Sequence, residues 1–341
     1  MVRMTVLASG SKGNCTVVSS SRTRILVDAG VCCRELFKRM AEAGEDPATL
    51  DAILITHEHQ DHIQGLAVTA RKLGIPVYFT ESTHRAWVRW MTPRKRVTYA
   101  DWLAARKQQD ETAAASDAAN SGPARSGPAH SGPAHSGPGD TGLATSCTEE
   151  REAFEEESEC ARREAGPDAG PDPCALPAIE YFSAGEAFSV GDIAVTPFTI
   201  PHDAADPVGF LFEAEGIRIG LATDLGYMPP NAVRHLRRCD VLMLESNHDL
   251  DMLRDGPYPW SVKQRVMSRV GHLSNHAAAQ FLEREYDGGA VYVILAHLSE
   301  SNNLPALARI SAEHALRDRM SLLANKLMLA TQSRPLESIV L

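Results

Sequence analysis

The segment Ala52-Ile-Leu-Ile-Thr56-His57-Glu58-His59-Gln60-Asp61-His62 constrains this chain more than any other. An apolar, β-favouring run (Ala52–Ile55) delivers the backbone to a turn that crowds three imidazoles and two carboxylates into six positions. A strand end followed by a short loop points alternate residues the same way. His57 and His59 are thereby placed to share one metal ion, while Asp61 and His62 reach past it toward a second. Imidazole suits zinc, manganese or iron, and a carboxylate adds the charge needed to hold two cations close together.

The H-x-H-x-D-H spacing resembles the metallo-β-lactamase superfamily, in which further ligands stand at the ends of later strands. This chain has a candidate at each such place. The run Ile193–Ile200 ends in Pro201-His202-Asp203, Ile217–Ala222 ends in Thr223-Asp224-Leu225-Gly226, and Ala290–Leu295 ends in Ala296-His297-Leu298-Ser299. The resemblance implies that His57, His59 and His202 hold one divalent cation and Asp61, His62 and His297 a second. Asp224 would bridge the two, and a hydroxide shared by the cations (zinc or manganese) would be the nucleophile. Asp28 also ends a strand, and is either an acceptor that orients a ligand imidazole or a turn residue. The implied fold is a four-layer αββα sandwich, where periodicity alone gives a mixed α/β chain.

Two segments narrow the resemblance. Gly271-His272-Leu273-Ser274-Asn275 is similar to a segment of the RNase Z nucleases whose histidine donates a proton to the leaving oxygen. Leu242-Met-Leu-Glu245-Ser-Asn247-His248-Asp249 occupies the place of the glutamate that orients it. A phosphodiester has a poor alkoxide leaving group, so a general acid matters to it. The competing reading is that Ser274 and Asn275 cap a helix and His272 packs beside it. Together with Ser9-Gly-Ser-Lys-Gly-Asn-Cys-Thr16 and Ala296-His-Leu-Ser-Glu-Ser-Asn-Asn303, these segments resemble the YycJ/WalJ branch, to which 5′→3′ exonuclease activity on double-stranded DNA is attributed. The arm of RNase Z and the β-CASP domain have no counterpart here, which points away from RNA processing.

Residues 104–178 differ in kind. Four Ser-Gly-Pro-x-x pentads run from Ser121 to Asp140, and Glu149–Glu164 is rich in glutamate. Such a stretch lacks the apolar surface to offset its ordering entropy, so disorder is expected. His130 and His135 within it read as filler, and the acidic insertion is a candidate protein-partner segment. It holds fourteen acids and six bases, leaving thirty acids and twenty-eight bases elsewhere, so the net charge of −10 mostly describes the insertion. The flanks, 1–103 and 179–341, are expected to form one domain. No apolar run approaches the ~18 residues of a membrane span. The N-terminus has no secretory pattern, and seven cysteines without a Cys-x-x-Cys pair suit reduced thiols and a cytoplasmic location. Cys15, Cys32, Cys33 and Cys239 fall in segments that read as core.

The expected function is a dinuclear-metal phosphodiester hydrolase, a 5′→3′ exonuclease on DNA, with His272, Glu245 and Asp61 in catalysis. Ser11 and Asn14, in a Gly-rich loop, and Arg265 and Arg269, on a helix before His272, are candidate substrate contacts. Arg85-Ala-Trp87-Val-Arg89-Trp90-Met-Thr-Pro-Arg94-Lys95-Arg96 suits either nucleic acid or an amphipathic helix that buries its tryptophans. A small-molecule hydrolase of the same fold (thioesterase, lactonase or cyclic phosphodiesterase) is the alternative. A nucleic-acid-binding scaffold is the third reading.

Overall fold

Strands that are apolar without alternation need cover on both faces. Val241–Glu245 and Cys15–Ser19 are buried at every position, and so is Ala52–Leu54. The computed structural model describes residues 1–92, 172–317 and 326–341, and it places such strands between two apolar layers. Met1–Met91 and Pro173–Leu341 form one compact unit.

The first sheet contains β1 (Arg3–Ala8), β2 (Cys15–Ser19), β3 (Arg24–Val27), β4 (Ala52–Leu54), β5 (Val77–Phe79), β6 (Ile179–Tyr181) and β14 (Ile339–Val340), in the order β14-β1-β2-β3-β4-β5-β6. The second contains β7 (Phe188–Val190), β8 (Ile193–Thr199), β9 (Val208–Ala214), β10 (Ile217–Ala222), β11 (Val241–Glu245), β12 (Tyr292–Ala296) and β13 (Lys326–Leu329), in the order β13-β12-β11-β10-β9-β8-β7. Pairing changes from antiparallel to parallel at β3 in the first sheet and at β10 in the second. Strands β3 and β4 therefore end at one edge of their sheet, and β8, β10, β11 and β12 end at one edge of theirs. Ligands collect at such edges.

Helices cover the outer faces: α1 (Cys33–Glu42), α2 (Gln60–Ile63), α3 (Leu66–Leu73) and α4 (Glu81–Met91) follow strands of the first sheet. Among the rest are α5 (Pro230–Leu236), α6 (Leu250–Asp255), α7 (Trp260–Val266), α8 (Asn275–Arg284) and α9 (Pro305–Leu316). Val6, Ile25, Val27 and Leu54 meet Val195, Phe210, Ile219 and Met243 in the core between the sheets. The opposite faces pack on helices, Leu26 and Ile53 with Leu36 and Leu66, and Leu242 and Leu295 with Leu236 and Phe281. The four-layer αββα expectation is met. Truncating one such leucine to alanine costs roughly 2–5 kcal/mol.

Several local expectations shift. Helical spacing over 63–73 predicts one helix, but it is broken at Gly65, whose N–H donates to Ala29 O at 2.8 Å, because the Asp28–Val31 turn packs there. Ser82 offers an N-cap by residue type, but α4 is capped by Thr80, whose Oγ1 accepts from Thr83 N at 3.3 Å. Trp87 is buried against Phe79, so the amphipathic-helix reading holds for this part of the basic stretch, while Trp90 is exposed. Arg94, Lys95 and Arg96 lie outside the described residues, as do His130, His135 and nearly all of the expected insertion. Its far end differs from expectation: Cys174 is buried in the core, and Arg71 donates to the carbonyls of Pro173 and Ala175. Cys32, read as core, is exposed. No helix among the described residues is long and apolar enough to cross a membrane.

Candidate metal centre

The loop after β4 is held by the turn after β3. Asn14 N donates to Asp61 O at 2.7 Å, Ala29 N to His62 O at 2.8 Å, and Gly30 N to Asn14 O at 3.0 Å. The approach is so close that a Cβ on Gly30 would lie 1.7 Å from Asp61 O. Asp28, Asp224 and His297 each leave a strand in the left-handed region, with φ of 59°, 61° and 53°. That conformation costs a non-glycine residue roughly 1–2 kcal/mol, and here it turns three side chains toward one place.

The result is two adjoining clusters, with a third group, Asp224, Glu245, His272 and His297, overlapping the second. One ligand atom each from His57, His59 and His202 lies within 4.8 Å of the others, and the same holds for Asp61, His62, Asp224 and His297. The first cluster is tight, with His202 Nε2 3.2 Å from His59 Nδ1. In the second, His62 Nε2 lies 3.3 Å from Asp224 Oδ2 and 3.5 Å from Asp61 Oδ2, and His297 Nε2 lies 3.5 Å from Asp61 Oδ2. All seven residues named in the sequence are brought together. Glu58 is not among them, since its Oε1 accepts from Ala205 N at 2.8 Å.

Each imidazole has one nitrogen tied outward and the other turned into the cluster. His57 Nδ1 meets Thr56 Oγ1 at 3.0 Å, His59 Nε2 meets Asp203 O at 3.2 Å, and His202 Nδ1 meets Gly271 O at 3.0 Å. His62 Nδ1 meets Asp28 Oδ2 at 2.8 Å, and His297 Nδ1 meets Glu245 Oε1 at 2.9 Å. The buried inward atoms His57 Nε2, His297 Nε2 and Asp224 Oδ2 have no hydrogen-bond partner among the described residues. Outward-tied imidazoles with unpartnered inward nitrogens fit divalent cations.

The electrostatics agree. Burial alone would raise the carboxyls, yet the charges of His297 and His62 hold Asp224 far below the usual carboxylate range. Burial would likewise depress His62, but Asp28, Asp61 and Asp224 raise it well above an ordinary imidazole. Without a cation, the carboxylates favour protonated neighbouring imidazoles, and a bound divalent cation would displace those protons.

Beside the clusters, Glu245 is completely buried. Its Oε1 accepts from His272 Nδ1 at 2.8 Å as well as from His297, and its Oε2 accepts from Leu225 N at 2.9 Å and Leu273 N at 3.0 Å. Ser274 caps α8, accepting from Ala277 N at 3.1 Å, whereas Asn275 lies in the helix with its amide donating to Asn303 Oδ1. His272 both packs beside the helix and pairs with Glu245. Burial works against protonation of His272, but the Glu245 charge outweighs it and raises the imidazole. His272 remains about a fifth exposed, open to a substrate.

The four candidate substrate contacts fare differently. Ser11 is exposed in its loop. Asn14 is buried, its Nδ2 3.2 Å from Asp61 Oδ2 and 3.1 Å from His62 Nε2. Arg265 Nε is paired with Asp203 Oδ2 at 2.5 Å, and the Arg269 guanidinium stands 4.4 Å from the Tyr227 ring centroid. Sequence reasoning missed Thr56, whose hydroxyl touches Asp28, His57 and His62, and Ser9, whose Oγ accepts from His297 N. The only signal was position, since one directly precedes the metal loop and the other closes β1.

Comparison with known proteins agrees with this geometry. Residues 8–139 match the metallo-β-lactamase superfamily profile, and residues 158–297 match that of the β-lactamase superfamily domain. The chain is 29% identical over 318 residues to exodeoxyribonuclease YycJ of Bacillus anthracis, covering 93% of this chain and 90% of that protein. It is 28% identical over 314 residues to exodeoxyribonuclease WalJ of Streptococcus pneumoniae, covering 92% and 88% respectively. The crystal structure of the metallo-β-lactamase fold protein YhfI from Bacillus subtilis shares the fold, with a TM-score of 0.55 at 13% identity over 98% of this chain and 99% of that one.

Proposed function

Because the chain belongs to the metallo-β-lactamase superfamily of metal-dependent hydrolases, on the branch of the YycJ and WalJ proteins, we propose that it is a dinuclear phosphodiesterase that degrades DNA from 5′ ends. The fully buried Glu245 hydrogen-bonded to the partly exposed His272 beside the ligand clusters carries this reading. An alkoxide leaving group needs a proton, and a raised imidazole at the cluster's edge supplies one.

His57, His59 and His202 would hold one divalent cation, and Asp61, His62 and His297 the other, with Asp224 shared. When bound, zinc or manganese ions there supply an activated water nucleophile and positive charge for the reacting phosphate. The chain's own groups do the rest. Asp28 and Thr56 fix the rings of His57 and His62, and Asn14 steadies Asp61. Glu245 holds His272 in the tautomer and direction from which its other nitrogen donates. As that nitrogen releases its proton to the departing oxygen, the Nδ1 hydrogen stays on the Glu245 side.

The deciding experiment incubates metal-loaded protein with duplex DNA labelled at either end, single-stranded DNA and RNA. Nucleotides released from the 5′ ends of duplex DNA are expected. Turnover of thioesters or lactones with intact nucleic acids would overturn the proposal and favour a small-molecule hydrolase.

A further inference from the structure

We propose that a groove between α5 and α8, on the outer face of the second sheet, carries the phosphate backbone of the DNA substrate away from the metal centre. This rests on the nuclease reading and assigns it a surface.

Close to the centre, cationic side chains are already engaged. Arg265 is paired with Asp203 and Lys12 with Glu300, each at 2.5 Å. Arg269 instead lies over Tyr227, three residues beyond Asp224. From Tyr227 a cavity of about 460 Å³ opens over an apolar floor of Val233, Ala277 and Phe281, with Arg284 and Glu285 also lining it. A second cavity of about 440 Å³, on α5 and the start of β10, adjoins the first at Pro230 and Val233. Its other lining residues are all arginines: Arg218, Arg234, Arg237 and Arg238.

Charge selects the occupant. Pro230–Cys239 contains three arginines and no acid, in a chain whose residues outside 104–178 hold thirty acids and twenty-eight bases. Arg218 is balanced by Glu213 at 3.2 Å, but Arg234, Arg237 and Arg238 are exposed and pair with no carboxylate among the described residues. On the α8 side Arg284 is 3.9 Å from Glu283, a loose pair. Burial first, then Arg234 and Arg218, depress the protonation of His235, which registers the positive field on this face. Adjacent uncompensated guanidiniums repel one another, and a polyanion relieves that repulsion while its counterions are released.

Direction selects the substrate. Helix α5 follows the Asp224 loop and α8 follows His272, so both begin at the reacting end of the sheet. Between Ala277 and Glu285, α8 lines the groove over about 12 Å, or about three nucleotide steps of a duplex.

The test uses full-length, metal-loaded protein and a fluorescent blunt duplex with hydrolysis-resistant phosphorothioate ends. Binding is read by anisotropy between about 50 and about 200 mM salt. Two variants are compared with wild type: Arg234→Gln, Arg237→Gln, Arg238→Gln, and the same positions changed to Glu. Circular dichroism and bound-metal content confirm their folding. Loss of about tenfold or more in affinity and a salt slope reduced by about 2–3 are expected. Unchanged affinity and slope in both variants would overturn the proposal. So would an equal loss on reversing Arg34, Lys38 and Lys72, which lie on the helices over the first sheet. If wild type digests duplex DNA and the variants bind it normally, the surface is wrong and the nuclease reading stands. If the arginines govern duplex binding but no nucleotide is released, the surface stands and the nuclease reading falls.

Discussion

Glu245 and His272, 27 residues apart in sequence, are joined by a 2.8 Å hydrogen bond between a carboxylate with no exposed surface and an imidazole that still reaches solvent. Glu245 ends β11 and His272 stands just before α8, so two separate elements must meet to make the pair. The arrangement lets the ring hold a proton near a site that demands one.

His272→Ala should therefore slow DNA cleavage by about 10²–10⁴-fold with bound metal unchanged. Bis(p-nitrophenyl) phosphate, whose leaving group departs without a proton, should lose far less. Equal losses on both substrates, measured side by side, would mean that His272 supports the site in some other way.

Asp28 holds His62 through a buried 2.8 Å contact and also accepts from the Thr56 hydroxyl at 2.9 Å. Asp28→Asn keeps the shape but removes the charge that orients the imidazole. Metal affinity should fall by about 10–100-fold, while Thr56→Ser, which keeps the hydroxyl, should stay near wild type. Competition with a chromogenic chelator measures both.

The clustering of the candidate ligands was legible because it follows a local rule: an apolar strand, then a ligand-type residue where the strand leaves the sheet. His202, Asp224 and His297 all obey it, and the resemblance supplied their partition between cations. Strands β4, β8, β10 and β12 were readable because their apolar runs end in ligand-type or turn residues. The short strands β6, β13 and β14 were not, since three-dimensional pairing makes them strands, and Ile179–Tyr181 is exposed at every position. Asn14 and Arg265 show the same limit. Composition marked both as substrate contacts, but whether a polar side chain faces a ligand or Asp61 and Asp203 is decided by distant segments. The break at Gly65 has that origin too.

Gly30 sits where the β3 turn presses on the metal loop, and an added Cβ would meet Asp61 O at 1.7 Å and Asn14 N at 2.4 Å. Both are backbone atoms and cannot rotate away. Gly30→Ala should displace the loop, destabilising the fold by about 1–3 kcal/mol or more and weakening metal retention together. Thermal unfolding and bound-metal analysis on the same preparation test this. Retention of both would show that the turn has room to move.

Thiol chemistry offers a check on the packing away from the metal centre. Burial pushes the thiols of Cys15 and Cys239 up to about 12, whereas Cys32 is exposed at the start of α1. At about pH 8 a thiol with so high a value is about one part in ten thousand thiolate, the form that reacts. Peptide mapping after brief alkylation of the native protein should find Cys32 modified and Cys15 and Cys239 intact, with both becoming reactive in denaturant. Because Cys15 lies directly beneath the turn that carries Asp28 and Gly30, its early modification would mean that this turn opens, and with it the support for His62.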